Sequence, residues 1–268
     1  MSNSATTRYL SGANLIFAIA FVLIPRLASA TEAHGGWIKT ANGIALKNKS
    51  GSVVRRIIAG QSEKNIGHHP EHKFTDRVFV STKAAASSDG RFAWVLRDES
   101  YALIGGEKAF VSFKYYGQDG EELWEKNTVT GVNVSQNGEV VALLEVDLKW
   151  IVSNEHRDGS GRPSVYSSNG GLLFEFGDCR TSFAPYFSMN GRYGAVVCDS
   201  STSQRPAILF NLSKKRKMEI AIPAVGVSVS VHDDGTYALI TSQQKFDPAT
   251  KKYTDEFITE EISHGRIK

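Results

Sequence analysis

The sequence predicts an all-β fold built from four-stranded antiparallel units repeated about five times. Three observations carry that prediction. One short phrase recurs four times, each copy has the pattern of a tight hairpin, and a second hairpin lies between successive copies.

The copies are SSDGRFAWVL at 87–96, SQNGEVVALL at 135–144, SMNGRYGAVV at 188–197 and HDDGTYALIT at 232–241. Asp89, Asn137, Asn190 and Asp234 each precede a glycine, namely Gly90, Gly138, Gly191 and Gly235. Asp-Gly and Asn-Gly tolerate the positive φ angles of a tight hairpin, which β-branched residues do not. An apolar, β-prone run follows each glycine, and another precedes it: RVFVSTKAAA, TVTGVNV, APYF and VGVSVSV. The intervening hairpins are VSFKYYGQDGEELWEK (111–126), PSVYSSNGGLLFEF (163–176) and AILFNLSKKRKMEIAI (207–222), the last turning through a basic run. A further copy, GIALKNKSGSVVRRI (43–57), precedes the first phrase. The unit is therefore four strands in roughly 45–50 residues, the size of a β-propeller blade. About five blades are expected, one of them incomplete, with the 43–57 hairpin completing a short blade beside the C-terminal strands to close a monomeric ring. A single β-sandwich is the competing architecture, since sandwiches also show short strands at regular spacing.

On these turns the chain resembles the WD40-like repeats of the TolB-like envelope β-propellers, whose blades carry a Ser-Pro-Asp-Gly-like turn. Ser88, Gln136, Met189 and Asp233 stand where that turn has proline. The resemblance spans roughly residues 40–260 and lies at the level of the fold. It implies a propeller of the bacterial envelope; a link to outer-membrane integrity is analogy, because fold does not dictate function.

Residues 1–30 are expected to be a cleavable signal peptide, leaving 31–268 as a single propeller domain. Arg8 is followed by an apolar run from Leu15 to Ile24 and then by Ala28-Ser29-Ala30, a small-residue cleavage pattern. The run is too short to span a bilayer, which takes about 20 apolar residues as a helix. Export to the periplasm or the extracellular space follows, with no transmembrane segment after cleavage. The 31 Lys and Arg nearly balance the 28 Asp and Glu. That balance argues against a nucleic-acid partner, which needs a basic excess. KKRK at 214–217 is the one dense basic run and reads as a solvated turn. In an oxidising compartment the two cysteines, Cys179 and Cys198, are expected to pair; two buried thiols are the alternative.

Function is expected on the face that carries the longer connections, 97–109, 146–163, 199–206 and 242–252, because binding residues concentrate on loops held by a rigid scaffold. Asp98, Asp147 and Asp199 recur at the end of the second strand of successive units, where Gln243 stands in the last. They are candidates to bind a cation or sugar, or to cap loops by accepting backbone N–H bonds. Trp150, on a loop with charged neighbours, has the character of an interface anchor. The segment 60–76 is expected to be an inserted loop. It holds His68, His69 and His72, whose imidazoles suit zinc, copper or nickel. A solvated polar loop is the preferred reading of that segment, and a divalent metal is the one cofactor the sequence suggests. No G-x-S-x-G, phosphate-binding loop or dinucleotide fingerprint occurs. The reading that follows is a non-catalytic binding or scaffolding propeller for an envelope protein or a small ligand. A metal-dependent propeller hydrolase or lactonase on the same face is the alternative.

Overall fold

A four-residue turn sets the architecture. In the computed structural model, which describes residues 35–69, 74–103, 106–146, 161–199, 205–222 and 227–268, Ser87 Oγ donates to Asp89 Oδ1 at 2.7 Å and accepts the Phe92 N–H at 3.0 Å. Asp89 Oδ1 in turn accepts the Arg91 N–H at 3.0 Å. The same bracket recurs with Ser135, Asn137 and Val140, and with Ser188, Asn190 and Tyr193. Each bracket satisfies backbone donors that a reversal would otherwise strand.

Turns of this kind generate an all-β chain, with no helix among the described residues. The first sheet has the order β1 (Gly36–Thr40), β2 (Gly43–Lys47), β3 (Val53–Ile58). The second holds β4 (Gly60–His69), β5 (Phe74–Ala86), β6 (Ala93–Leu103), β7 (Gly106–Tyr116) and β8 (Glu122–Asn127) in sequence order. The third is formed by β9 (Val129–Val134), β10 (Val140–Glu145), β11 (Arg162–Ser167) and β12 (Leu172–Glu175). The fourth comprises β13 (Tyr186–Phe187), β14 (Tyr193–Val197), β15 (Arg205–Asn211) and β16 (Arg216–Ile222). The last has β17 (Val227–Val231), β18 (Thr236–Asp247) and β19 (Lys252–Arg266). Every pairing is antiparallel between sequence neighbours, the meander of a propeller blade.

The blades stack in chain order, and each junction has its own apolar cluster. Trp37, Ile44 and Leu46 meet Ala93 and Tyr116 between the first and second sheets. Leu96, Phe113 and Tyr115 meet Val129, Val141 and Leu143 between the second and third. Phe174, Phe176 and Phe210 anchor the next junction, and Leu209, Ile222 and Val229 the last. Among the described residues five sheets thus share four apolar interfaces. The expectation that the N-terminal hairpin pairs beside the C-terminal strands is corrected here. β1–β3 form a sheet of their own, and β19 pairs only with β18. The 43–57 hairpin instead takes β1 as its third strand, along the other edge of β2, and among the described residues β3 pairs with β2 alone.

Turn glycines are where neighbouring blades touch. A Cβ on Gly138 would lie 2.6 Å from a ring carbon of Phe92 in the preceding blade, and one on Gly235 would lie 2.8 Å from the Tyr193 ring. The Tyr115 hydroxyl donates to the Gly138 carbonyl, and Trp124 Nε1 donates to the Ser168 carbonyl at 2.9 Å. Burial holds the Tyr115 phenol far above its ordinary titration range, so it stays a donor.

Gly138→Ala should therefore cost more than the strain of its backbone, whose φ is 75°. Gly51, at φ 80° with open space around it, is the matched control. Thermal and urea denaturation should show Gly51→Ala losing about 1–2 kcal/mol and Gly138→Ala losing at least about 1 kcal/mol more. Equal losses would mean that Phe92 does not need the space.

A second expectation concerns acid. Burial works to raise the Asp89 pKa, but hydrogen bonds from Ser87 and Arg91 and the Arg91 charge outweigh it and hold the carboxyl below its usual value. A carboxyl depressed in the folded state contributes stability that is present above its unfolded pKa and fades as pH falls through the folded one. Asp89→Asn keeps the bracket, as Asn137 and Asn190 do, yet removes the ion pair with Arg91 at 2.6 Å. Its melting temperature should fall below the parent's at neutral pH and converge with it below about pH 4. Parallel curves over that range would exclude the assignment.

Candidate functional site

Three strands of the second sheet are about twice as long as a blade needs, and the excess builds the site. β5, β6 and β7 run on past the level at which Leu96 and Phe113 pack against the third sheet. The stretches 97–109 and 242–252, expected to be loops, are largely continuations of β6–β7 and β18–β19. Most of 60–76, expected as an inserted loop, is the strand β4 paired to β5. The correction has a physical cause. Gln61–Ile66 are exposed throughout, so no apolar alternation marks the strand, and its hydrogen bonds are supplied by β5.

On the third-sheet side of this extension lies an open groove of about 430 Å³. Gln61, Ser62 and Glu63 of β4 line it, with Phe79, Val80 and Ser81 of β5 and Asp98 and Ser100 of β6. Register explains the assembly. Gln61, Ser81 and Asp98 stand opposite one another across the strands, and Glu63, Phe79 and Ser100 form the next rung. Residues opposite each other in antiparallel strands share a face, and alternate residues along a strand share it too. Asp98 is therefore two residues beyond Leu96 on the same face, where the sheet leaves its apolar packing. Ser100 Oγ donates to Asp98 Oδ1 at 3.3 Å, and Arg77 pairs with Glu63 at 3.1 Å. A register shift between Asn65 and Gly67 interrupts the β4–β5 ladder beyond the groove residues.

The opposite face of the extension is self-contained. Arg97 pairs with Glu99 at 2.6 Å, Tyr101 donates to Glu99 at 2.8 Å, and the Tyr101 and Phe110 rings meet edge to face with centroids 5.7 Å apart. The hydrogen bond to Glu99 raises the Tyr101 pKa.

Of the residues singled out in the sequence whose side chains are described, Asp98 lines the groove and Asp199 does not. Asp98 takes its hydrogen bond from a side chain, rather than capping a loop through backbone N–H groups. Asp199 belongs to the fourth blade, where Ser182 Oγ donates to its carboxylate at 3.1 Å and its own N–H bonds the Arg180 carbonyl. Asp147, Trp150 and His72 lie outside the described residues. His68 and His69 sit at the end of β4, opposite Thr75 and Phe74, and their side chains are outside the description. Among the described residues no group of three His, Cys, Asp or Glu side chains is placed to hold a metal, and no helix is long and apolar enough to cross a membrane. Phe79, Ser81, Gln61 and Ser100 were missed in the sequence. Their signal is the period of two in RVFVST: Val78, Val80 and Thr82 take one face, Arg77, Phe79 and Ser81 the other.

A disulfide joins Cys179 to Cys198, with Cα atoms 5.2 Å apart. Cys179 lies in the link between the third and fourth blades, Cys198 just after β14. Thr181 and Gly161 exchange backbone hydrogen bonds of 2.8 and 3.1 Å, fastening the same link to the third blade.

No protein-family model matches the sequence, and no curated protein sequence does. Solved structures of similar fold include the β-propeller domain of the trilobed protease from Pyrococcus furiosus, at 10% identity and a TM-score of 0.41, with 68% of this chain and 57% of that one aligned. The acylaminoacyl peptidase of Pyrococcus horikoshii aligns over 66% of this chain and 30% of its own, at 9% identity and a TM-score of 0.39. TolB from Acinetobacter baumannii aligns over 69% and 50% respectively, at 13% identity and a TM-score of 0.29. The chain thus covers less than two thirds of each of these proteins.

Alkylating denatured, unreduced protein should label no thiol, and two labels should appear after reduction. Reduction should lower stability by about 3 kcal/mol, the chain-entropy value for a closed loop of this order. Two labelled thiols without reductant would rule the bond out.

Proposed function

We propose that this chain is an exported, non-catalytic binding propeller of the bacterial envelope, with WD40-like repeats, that works as a monomer and takes its ligand in the groove of β4, β5 and β6. One observation supports the reading above the others. The second sheet carries long strand extensions beyond its main apolar packing, and lines their groove face with Asp98, Ser81, Gln61 and an aromatic ring. Surface that contributes no core and carries an aromatic with convergent polar groups has the composition of a recognition site. Export draws support from Ala28-Ser29-Ala30 after the apolar run.

Two measurements in the bacterium that makes the protein test this. Mass spectrometry of the envelope fraction should find a chain beginning at Thr31; an intact Met1 there would sink the export claim. A photoreactive phenylalanine at position 79 should give an adduct in intact cells, while the same group at Ser50, on the tight-turn face, should give none. Adducts from Ser50 alone, or from neither position, would overturn the placement of the site.

A further inference from the structure

The groove's chemistry narrows its ligand, on the premise that it is the binding site just proposed. Phe79 is 41% exposed on its face, flanked across the strands by Glu63 and Ser100. A ring this exposed between polar neighbours offers an apolar platform. Around it stand groups that both donate and accept. Asp98 accepts, the Ser81 and Ser100 hydroxyls do either, and the Gln61 amide does both. Among the described residues nothing hydrogen-bonds the Gln61 amide or the Ser81 hydroxyl, so both are available to a ligand.

Charge excludes the alternatives. Glu63 is already matched by Arg77 at 3.1 Å, which leaves Asp98 as the carboxylate facing the groove without a cationic partner. One partly buried carboxylate with a neighbouring hydroxyl is too little for a divalent cation, which takes six or more oxygen ligands as calcium or a near-octahedral set as magnesium. Among the described residues that line the groove none is a cation that could attract phosphate or a carboxylate; Lys83, on the same face opposite Leu96, lies outside the lining. What fits is an uncharged molecule with one apolar face and hydroxyls around its rim.

We infer that the groove binds a neutral oligosaccharide, with a pyranose ring lying on Phe79 and its hydroxyls engaging Asp98, Ser81 and Gln61. The strand lattice suits such a ligand. Neighbouring strands are about 4.8 Å apart and side chains on one face about 6.8 Å apart along a strand, so adjacent rungs present polar groups at the spacing of a ring's substituents.

Calorimetric titration of the full processed chain tests the inference with cellohexaose, maltohexaose and hexa-N-acetylchitohexaose as probes and tetralysine as the cationic control. At least one oligosaccharide should bind, with an affinity that does not change between low and high salt. Phe79→Ala should weaken it about tenfold or more, equivalent to about 1.4 kcal/mol, and Phe79→Leu should weaken it comparably, since it keeps apolar area but no ring. Asp98→Asn and Gln61→Ala should each weaken it by a smaller factor, with melting temperatures unchanged in all variants. Failure of all three oligosaccharides to bind the parent overturns the inference. So does unchanged affinity in both Phe79 variants, or salt-sensitive binding of tetralysine that Asp98→Asn abolishes. Photo-adducts from position 79 alongside any of these failures would leave the site standing and remove only the sugar.

Discussion

Close approach of one blade to the next is the constraint on which this structure depends. A twisted sheet buries its face only if a neighbour comes within side-chain contact, and here the turns are the points of nearest approach. Phe92 and Tyr193 rest where Gly138 and Gly235 leave no Cβ, and Trp124 lies against Gly170 in the same way. The glycine that permits the reversal is therefore also the socket for the preceding blade's ring. Hydrogen bonds then hold that contact in place: Trp37 Nε1 reaches the Gly117 carbonyl at 2.7 Å, and the Ser88 N–H reaches the Gln136 carbonyl at 2.9 Å.

Because each junction is built from two adjacent blades, stability is distributed along the chain as it is in repeat proteins, with nearest-neighbour terms. The first and last sheets have one such neighbour apiece among the described residues. The outward side of the first sheet keeps Ile58 in solvent, at 73% exposure. The disulfide and the Thr181–Gly161 bridge reinforce the third-to-fourth junction, where β13 is only two residues long and contributes little ladder.

Much of this was legible in the sequence. Asp-Gly and Asn-Gly between apolar runs located the hairpins, because few other pairs adopt those turns. The extensions were not legible. Residues such as Gln61, Glu63 and Lys64 face solvent on both sides of β4, so hydrophobic alternation had nothing to report. Trp37 seals the first junction. It follows Gly35 by two residues, as Phe92 follows Gly90, and so marks a degraded copy of the repeated phrase. Asp98 was found by its recurrence with Asp147 and Asp199. Its groove partners come from strands whose pairing only the fold supplies.

The ladder joining β5 to β6 runs for ten residue pairs without a register shift, from Ala86 and Ala93 at the turn to Arg77 and Ala102. Blade and groove are thus printed on one rigid ruler. If the hairpin closed one residue out of phase, alternation would invert along its whole length. Glu99 would then look into the groove, and Phe79 and Asp98 would turn toward the first blade. A seryl hydroxyl at one end of the hairpin thereby decides, some five rungs away, which chemistry the protein shows to the outside.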